Sequence, residues 1–292
     1  MTKFAYITDN HLGGDDNSWS QQKLYPHLVT ELFQDLANYL QQNPVDFVLH
    51  GGDLTNSGNI EEIEKASHIA KSLKCPLRLV LGNHDLGLTD SITHWRSQNT
   101  LFPQNTTPTC DFTIDLGTAN LIALTNTWQA PNQNSPFHWT PQDQQLSGLT
   151  PPQYHWLESQ LSASKKPTIL AMHESLYPLP PRLTGMPDEI HAPAGPYIKE
   201  LNQFIQEHEQ IKLVLSGHCH ASCITHENAT TYITTSSFSE PPFQIRIIET
   251  SQTQIEISTA CPVAMEKYNA QFNPEIAWTA GHPQDQNIKI PI

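Results

Sequence analysis

Five short stretches of this chain place acid, amide and imidazole groups where apolar runs end. They are Asp9-Asn10-His11, Gly52-Asp53, Gly82-Asn83-His84-Asp85, His173 and Gly217-His218-Cys219-His220. Carboxylate and imidazole together suit Mn, Fe, Zn and similar ions. The Asn83 amide oxygen is a further ligand for a hard cation. One Asp can bridge two ions, and ions ~3.5–4 Å apart can activate a water and stabilise the leaving oxygen of an in-line displacement. His84 can give or take a proton near neutral pH. Asp85, next to it, can fix the tautomer and orientation of an imidazole.

The elements that must position these groups alternate. Phe4–Thr8 reads as a strand ending on Asp9. Tyr25, Leu28, Val29, Leu32, Phe33, Leu36, Tyr39 and Leu40 recur at helical spacing, and Asn43-Pro44 stops that helix. A strand over 46–50 ends on Gly51-Gly52-Asp53. A helix over about 60–73 leads through Cys75-Pro76 to the strand Leu77–Leu81 and the Gly82 turn, where glycine lets the backbone bend sharply. Three strand–loop–helix units in a row predict a βαβ order. Ligands in such sheets bind at the carboxyl ends of the strands.

Further on, 109–116 and 120–125 predict an antiparallel pair turning at Gly117-Thr118. Residues 129–149 are rich in Gln, Asn and Pro and read as loop. Thr150-Pro151-Pro152 predicts a helix start with Thr as cap and Pro in the first turn. A strand over 168–171 ends on Met172-His173-Glu174. The proline-rich stretch 174–196 reads as a loop of functional length. A helix over 197–208 precedes a strand over 211–215 that ends on the Gly217 motif. Segments 231–235, 244–249 and 254–258 predict a β-meander.

The order Asp-x-His, Gly-Asp, Asn-His-Asp, His, Gly-His-x-His resembles the calcineurin-like metallophosphoesterase superfamily over residues 9–220. The resemblance implies a four-layer α/β/β/α sandwich. It implies one metal on Asp9, His11, Asp53 and His220 and another on Asp53, Asn83, His173 and His218, with Asp53 bridging. It makes His84 the general acid at the leaving oxygen and Asp85 the group orienting His84. Mn and Fe are the expected metals, with Zn as a further choice. Size, the start of the fold at residue 4, and Leu215-Ser-Gly-His-Cys-His220 resemble the class III cyclic nucleotide phosphodiesterases most. The implied reaction is hydrolysis of a small phosphodiester, such as a cyclic nucleotide, by a metal-bridging hydroxide. A phosphomonoesterase or nucleotide pyrophosphohydrolase with the same metals is the alternative, and a non-catalytic scaffold is a reading from another class. Many relatives have His-His-Pro where this chain has Met172-His173-Glu174, so Glu174 bears on substrate preference or on a ligand histidine. Relatives often dimerise, so a homodimer is a further expectation.

Bulk properties fit this picture. Formal net charge is −14, with 29 acidic against 15 basic residues in 292. Such a chain lacks the Lys and Arg for gripping nucleic acid by its phosphates. A phosphorylated substrate would need positive charge supplied locally, as bound metal ions do. Fifteen histidines stand beside 15 Lys and Arg. Five cysteines in irregular spacing do not suggest a disulfide framework. Cys219-x-x-x-Cys223 invites a zinc reading, but alternation along an extended segment turns Cys219 away from its flanking histidines. No run approaches the ~18 apolar residues of a membrane span, and no leader pattern opens the chain. The expectation is a soluble cytoplasmic protein with a 1–260 metallophosphoesterase domain. Residues 261–292 would form an extension on that domain or on a partner. His50 reads as core or supporting, and Trp95, Trp128, Arg182 and His191 are candidates for lining a pocket.

Overall fold

The computed structural model describes residues 1–17, 21–98, 100–126, 128–129, 147–193 and 196–292. The first half runs β1 (Thr2–Ile7), α1 (Val29–Gln42), β2 (Phe47–His50), α2 (Ile60–Ala70), β3 (Leu77–Leu79), α3 (Ser91–Ser97), β4 (Phe112–Asp115) and β5 (Asn120–Leu124). Next come β6 (Trp128–Gln129), β7 (Ser147–Gly148), α4 (Pro151–Ala163), β8 (Thr168–Met172), α5 (Pro181–Thr184), α6 (Pro196–Glu207) and β9 (Ile211–Ser216). The chain closes with β10 (Cys223–Glu227), β11 (Thr230–Thr234), β12 (Ile245–Thr250), β13 (Gln254–Ala260) and β14 (Ile288–Pro291).

Two six-stranded sheets carry the molecule, ordered β14-β13-β12-β1-β2-β3 and β10-β11-β9-β8-β5-β4. In the first sheet β1, β2 and β3 run parallel out to the β3 edge, and β12, β13 and β14 add antiparallel on the other side. The second sheet has a parallel centre of β5, β8, β9 and β11 between antiparallel edges. Side-chain alternation shows how the layers stack. In the second sheet Leu121, Ala123, Ile169, Ala171, Leu213 and Leu215 join the core shared with the first sheet and α1. Their neighbours Ile122, Leu124, Leu170, Met172 and Val214 face Leu157, Leu161, Leu201 and Ile205 of α4 and α6. Residues one apart on a strand point to opposite faces, so the order is helices, sheet, sheet, helices. On the other side α1 buries Val29, Leu32, Phe33, Leu36, Ala37 and Leu40. The large side chains among them contribute about 1.5–3 kcal/mol each by burial.

Local signals explain most boundaries. Asn59 caps α2 by accepting the Glu62 N–H. Thr150 caps α4, its own N–H held by Gln153 Oε1 at 2.9 Å. The expected β-meander is divided. Cys223–Glu227 folds back on Thr230–Thr234, while β9 takes the other edge of β11. Both edges of β11 are then filled, so the chain crosses to the first sheet before β12. There β12, β13 and β14 do form a meander. The stretch 174–196 holds the short helix α5 and an isolated bridge between Leu179 and Ile190. Most of 129–149, and the Trp128 side chain, lie outside the described residues. Among the described residues no helix is long and apolar enough to cross a membrane.

α3 has no strong periodic signature, with only Ile92 and Trp95 apolar. Trp95 nevertheless anchors the region. It is fully buried and donates its indole N–H to the Asp85 carbonyl at 2.8 Å, so it is core and not pocket lining. Trp95→Ala is expected to lower the unfolding free energy by about 3–5 kcal/mol. Trp95→Phe keeps most of the packing and loses the hydrogen bond, so its loss should be nearer about 1 kcal/mol. Denaturant melts of the two variants check this order.

Candidate metal centre

All five motif turns meet at the carboxyl ends of the parallel strands. Asp9 and His11 follow β1, Asp53 follows β2, Asn83 and His84 follow β3, His173 follows β8, and His218 and His220 follow β9. Two glycines let the turns touch. A Cβ at Gly82 would collide with the Asp53 carboxylate, and one at Gly217 with the Thr8 hydroxyl and the Asp9 carboxylate. The backbone is bent hard here. Asp9, His11, Asp53, His218 and His220 all have positive φ, from 49° to 66°, a region uncommon for non-glycine residues, though Asn, Asp and His enter it more often than others.

Three groups of donor atoms result, each with its atoms within 4.8 Å of one another: Asp9, His11 and His220; His11, Asp53 and His84; Asp53, His173 and His218. Nε2 of His11 lies 3.1 Å from Nε2 of His220, and Asp9 Oδ1 is 3.4 Å from the latter. Asp53 Oδ2 lies 3.1 Å from His173 Nε2 and 3.8 Å from His11 Nε2. One carboxylate thus faces both outer groups. Asn83 Oδ1 is 3.2 Å from His218 Nδ1.

The chemistry of this donor set fits a cation. Asp9 and Asp53 are carboxylates with almost no exposure, and buried charge of one sign demands a partner. His173 Nε2 is fully buried and faces the Asp53 carboxylate at 3.1 Å without a well-aligned hydrogen bond. Protonation is correspondingly displaced. Burial raises the Asp9 carboxyl above its usual range, against the pull of His220 and His173. Burial also acts upward on Asp53, but His173, His84 and His11 outweigh it and hold that carboxyl well below normal. Burial opposes charging of His173, yet Asp53 and Asp9 lift it to about 10. Burial and His173 drive His218 down to about 3.

Around this set lies a frame of supporting contacts. Thr8 Oγ1 donates to Asp9 Oδ2 at 2.7 Å, and the His218 N–H donates to both Asp9 oxygens at 3.2 and 3.1 Å. The Ser237 hydroxyl donates to the Asp9 carbonyl at 2.6 Å. His173 Nδ1 sits 2.9 Å from the Gly51 carbonyl. Asn126 Oδ1 accepts the His173 and Glu174 N–H groups, both at 3.2 Å, and its Nδ2 donates to the Glu174 carbonyl. His50 is buried and neutral, its pKa driven to about 3 by burial and by His173. It bridges Asn10 Oδ1 at 2.9 Å and the Gly52 N–H at 3.2 Å, a supporting place and not a ligand's.

One expectation needs correcting. Asp85 does not orient His84. The His84 ring is held through Nδ1 by the Asn56 carbonyl at 2.7 Å. Asp85 instead accepts the Thr55 N–H and hydroxyl, both at 2.9 Å, and the Gly82 N–H at 3.0 Å. Its carboxylate clamps the turns after β2 and β3 together, because three donors on two loops converge on it. Burial and the neighbouring Asp53 raise it to about 6.

The residues least visible in the sequence are Thr8, Asn126, Ser237 and Glu240. Glu240 lies 2.5 Å from His220 Nδ1. Its signal was there: it is the lone charged side chain between Asn228 and Ile245, a segment otherwise of small, apolar and amide groups. Of the suggested pocket residues, Arg182 pairs with buried Asp285 at 3.4 Å. His191 is exposed, with its Nε2 2.6 Å from Gln21 Nε2. Gln21 also reaches the Cys219 carbonyl at 3.4 Å, so His191 stands beside the Gly217 turn. Cys219 and Cys223 are buried with Leu179, Leu183 and Trp278 and appear in none of the donor groups.

This fold and site define a metal-dependent phosphoric ester hydrolase, and the chain belongs to the calcineurin-like phosphoesterase family, whose profile matches residues 2–222. It is similar to a probable cyclic nucleotide phosphodiesterase of Synechococcus sp., with 28% identity over 232 residues, covering 78% of this chain and 77% of that protein. It is also similar to a 3′,5′-cyclic-nucleotide phosphodiesterase of Nostoc sp., 26% identical over 220 residues and covering 74% and 70% of the two chains. In fold it matches a dimetal phosphatase from Danio rerio with a TM-score of 0.70, at 13% identity over 99% of this chain and 98% of that one.

Proposed function

We propose that the protein hydrolyses a small phosphodiester, with a cyclic nucleotide as the favoured substrate, at a centre of two metal ions. The observation that carries this reading is the Asp53 carboxylate, which faces both outer donor groups at once. Asp9, His11, Asp53 and His220 would hold one ion. Asp53, Asn83, His173 and His218 would hold the other. Mn or Fe suits this oxygen and imidazole set, and Zn is also compatible. When bound, such ions supply Lewis acidity and make a nucleophile from water at neutral pH.

The chain's own residues do the rest. Asn56 fixes the His84 proton at Nδ1, so the ring offers Nε2 to the substrate. To act as general acid His84 carries protons on both nitrogens and passes the Nε2 proton to the leaving alkoxide. The Nδ1–H bond to Asn56 survives that transfer unchanged. Asp53 holds the His84 backbone by accepting its N–H at 2.8 Å, which ties the acid to the bridging carboxylate. The 174–196 loop, with His191 at its end, is the proposed specificity element.

The choice of a diester rests on the names of the relatives, and the choice of a small one over nucleic acid on the low count of Lys and Arg. Metal-supplemented hydrolysis of bis-p-nitrophenyl phosphate and p-nitrophenyl phosphate, with Mn, Fe, Zn and chelator arms, tests it. Metal-dependent turnover mainly of the diester is the expected result. Turnover of the monoester alone would replace the diesterase reading with a phosphatase.

A further inference from the structure

His220 differs from His173 and His84 in what stands behind it. The rear nitrogens of His173 and His84 face neutral backbone carbonyls, those of Gly51 and Asn56. His220 turns Nε2 toward His11 and Asp9, and its Nδ1 lies 2.5 Å from a carboxylate oxygen of Glu240. Glu240 is 2% exposed. Its second oxygen accepts the Gln22 N–H at 2.7 Å. Gln22 is held in turn by the C-terminal segment: its Oε1 accepts the Asn273 N–H at 2.8 Å, and its Nε2 donates to the Asn273 and Ile276 carbonyls at 3.1 and 3.2 Å. Both oxygens of the carboxylate therefore have fixed tasks, and the side chain has no room to turn.

We propose that Glu240 is the positioning residue of one metal position: it keeps the His220 proton on Nδ1, aims the Nε2 lone pair at the Asp9–His11 group, and strengthens ion binding there alone. A carboxylate behind a ligand imidazole raises the basicity of the ligand nitrogen and locks its tautomer. The other position has no such group on the nitrogens described above, and its Asn83 is neutral. The exchange Glu240→Gln is informative because an amide has one accepting oxygen where two are needed. If that oxygen keeps His220, the amide NH2 meets the Gln22 N–H. If it keeps Gln22, the NH2 faces Nδ1 and drives the ring proton to Nε2, where the ion would sit.

The inference rests on the metal-ligand reading of the centre and not on the substrate. The test is calorimetric titration of metal-free protein with zinc. Wild type is expected to show two binding events. Glu240→Gln should weaken one of them by about 10–100-fold and leave the other within twofold. Asn83→Ala should weaken the event that Glu240→Gln spares. Equal weakening of both events by Glu240→Gln, or of neither, would overturn the proposal. A measurement on the unaltered chain stands beside this: nitrogen-15 NMR of the zinc-loaded wild type should find the His220 proton on Nδ1. A proton on Nε2 would sink the proposal even if the variant does not fold. Absence of zinc binding by the wild type would overturn the metal centre itself, a failure distinct from two binding events that ignore Glu240.

Discussion

Replacing His84 with alanine should lower turnover of a phosphodiester with an alkoxide leaving group by about 10²–10⁴-fold, with metal content unchanged. The structure separates the two properties. His84 reaches Asp53 through its backbone N–H, and alanine keeps that contact. What alanine removes is the ring held on the Asn56 carbonyl, and with it the proton for the leaving oxygen. The size of the loss should depend on the leaving group. A p-nitrophenolate leaves without protonation, so bis-p-nitrophenyl phosphate should lose much less than a cyclic nucleotide or an alkyl diester. Steady-state kinetics on both substrates, beside metal analysis of the same preparations, decide the matter. Full activity on the alkyl diester would remove His84 from the acid role.

The second large effect is expected at Asp53. Asp53→Asn should empty both metal positions and lower activity by about 10³-fold or more, the loss of several kcal/mol of Lewis-acid stabilisation at about 1.36 kcal/mol per tenfold. Asparagine tolerates the positive φ of 54° at this position, and its amide oxygen can still accept the His84 N–H. The fold should therefore survive, and the loss should report on the charge that faces both groups. Chelator treatment of the wild type should reproduce the defect. Added manganese should then restore the wild type and not the variant. A variant that keeps one tightly bound ion and half the metal would show that Asp53 serves one position only.

Much of this was legible in the sequence because each ligand stretch terminates an apolar strand. The β1, β2, β3, β8 and β9 boundaries fall within a residue or two of the expected ones, and the donors after them converge. Periodicity showed α1 because its apolar stripe faces one core. Three features escaped because their causes are not local. The path from β11 to β12 depends on which edges of the second sheet are already filled. The orientation of His84 depends on a backbone carbonyl 28 residues away, and carbonyls leave no mark in a sequence. Glu240 reaches His220 from the segment in which the chain crosses between sheets. Asp85 illustrates the converse: adjacency in sequence suggested a partner that the turn points elsewhere.

The positive φ angles of Asp9, His11, Asp53, His218 and His220 also bear on how such a protein would decay over generations. Each such residue is disfavoured by about 1–2 kcal/mol, against a typical total stability of about 5–15 kcal/mol. A descendant freed from the need to hydrolyse anything would gain by exchanging for glycine those of these side chains whose own hydrogen bonds are worth less than that strain. Loss of the centre would then be favoured by folding itself, not merely tolerated. Erosion should begin at such positions and outpace change in the buried strands behind them, leaving a lineage with the same sandwich and a blank rim.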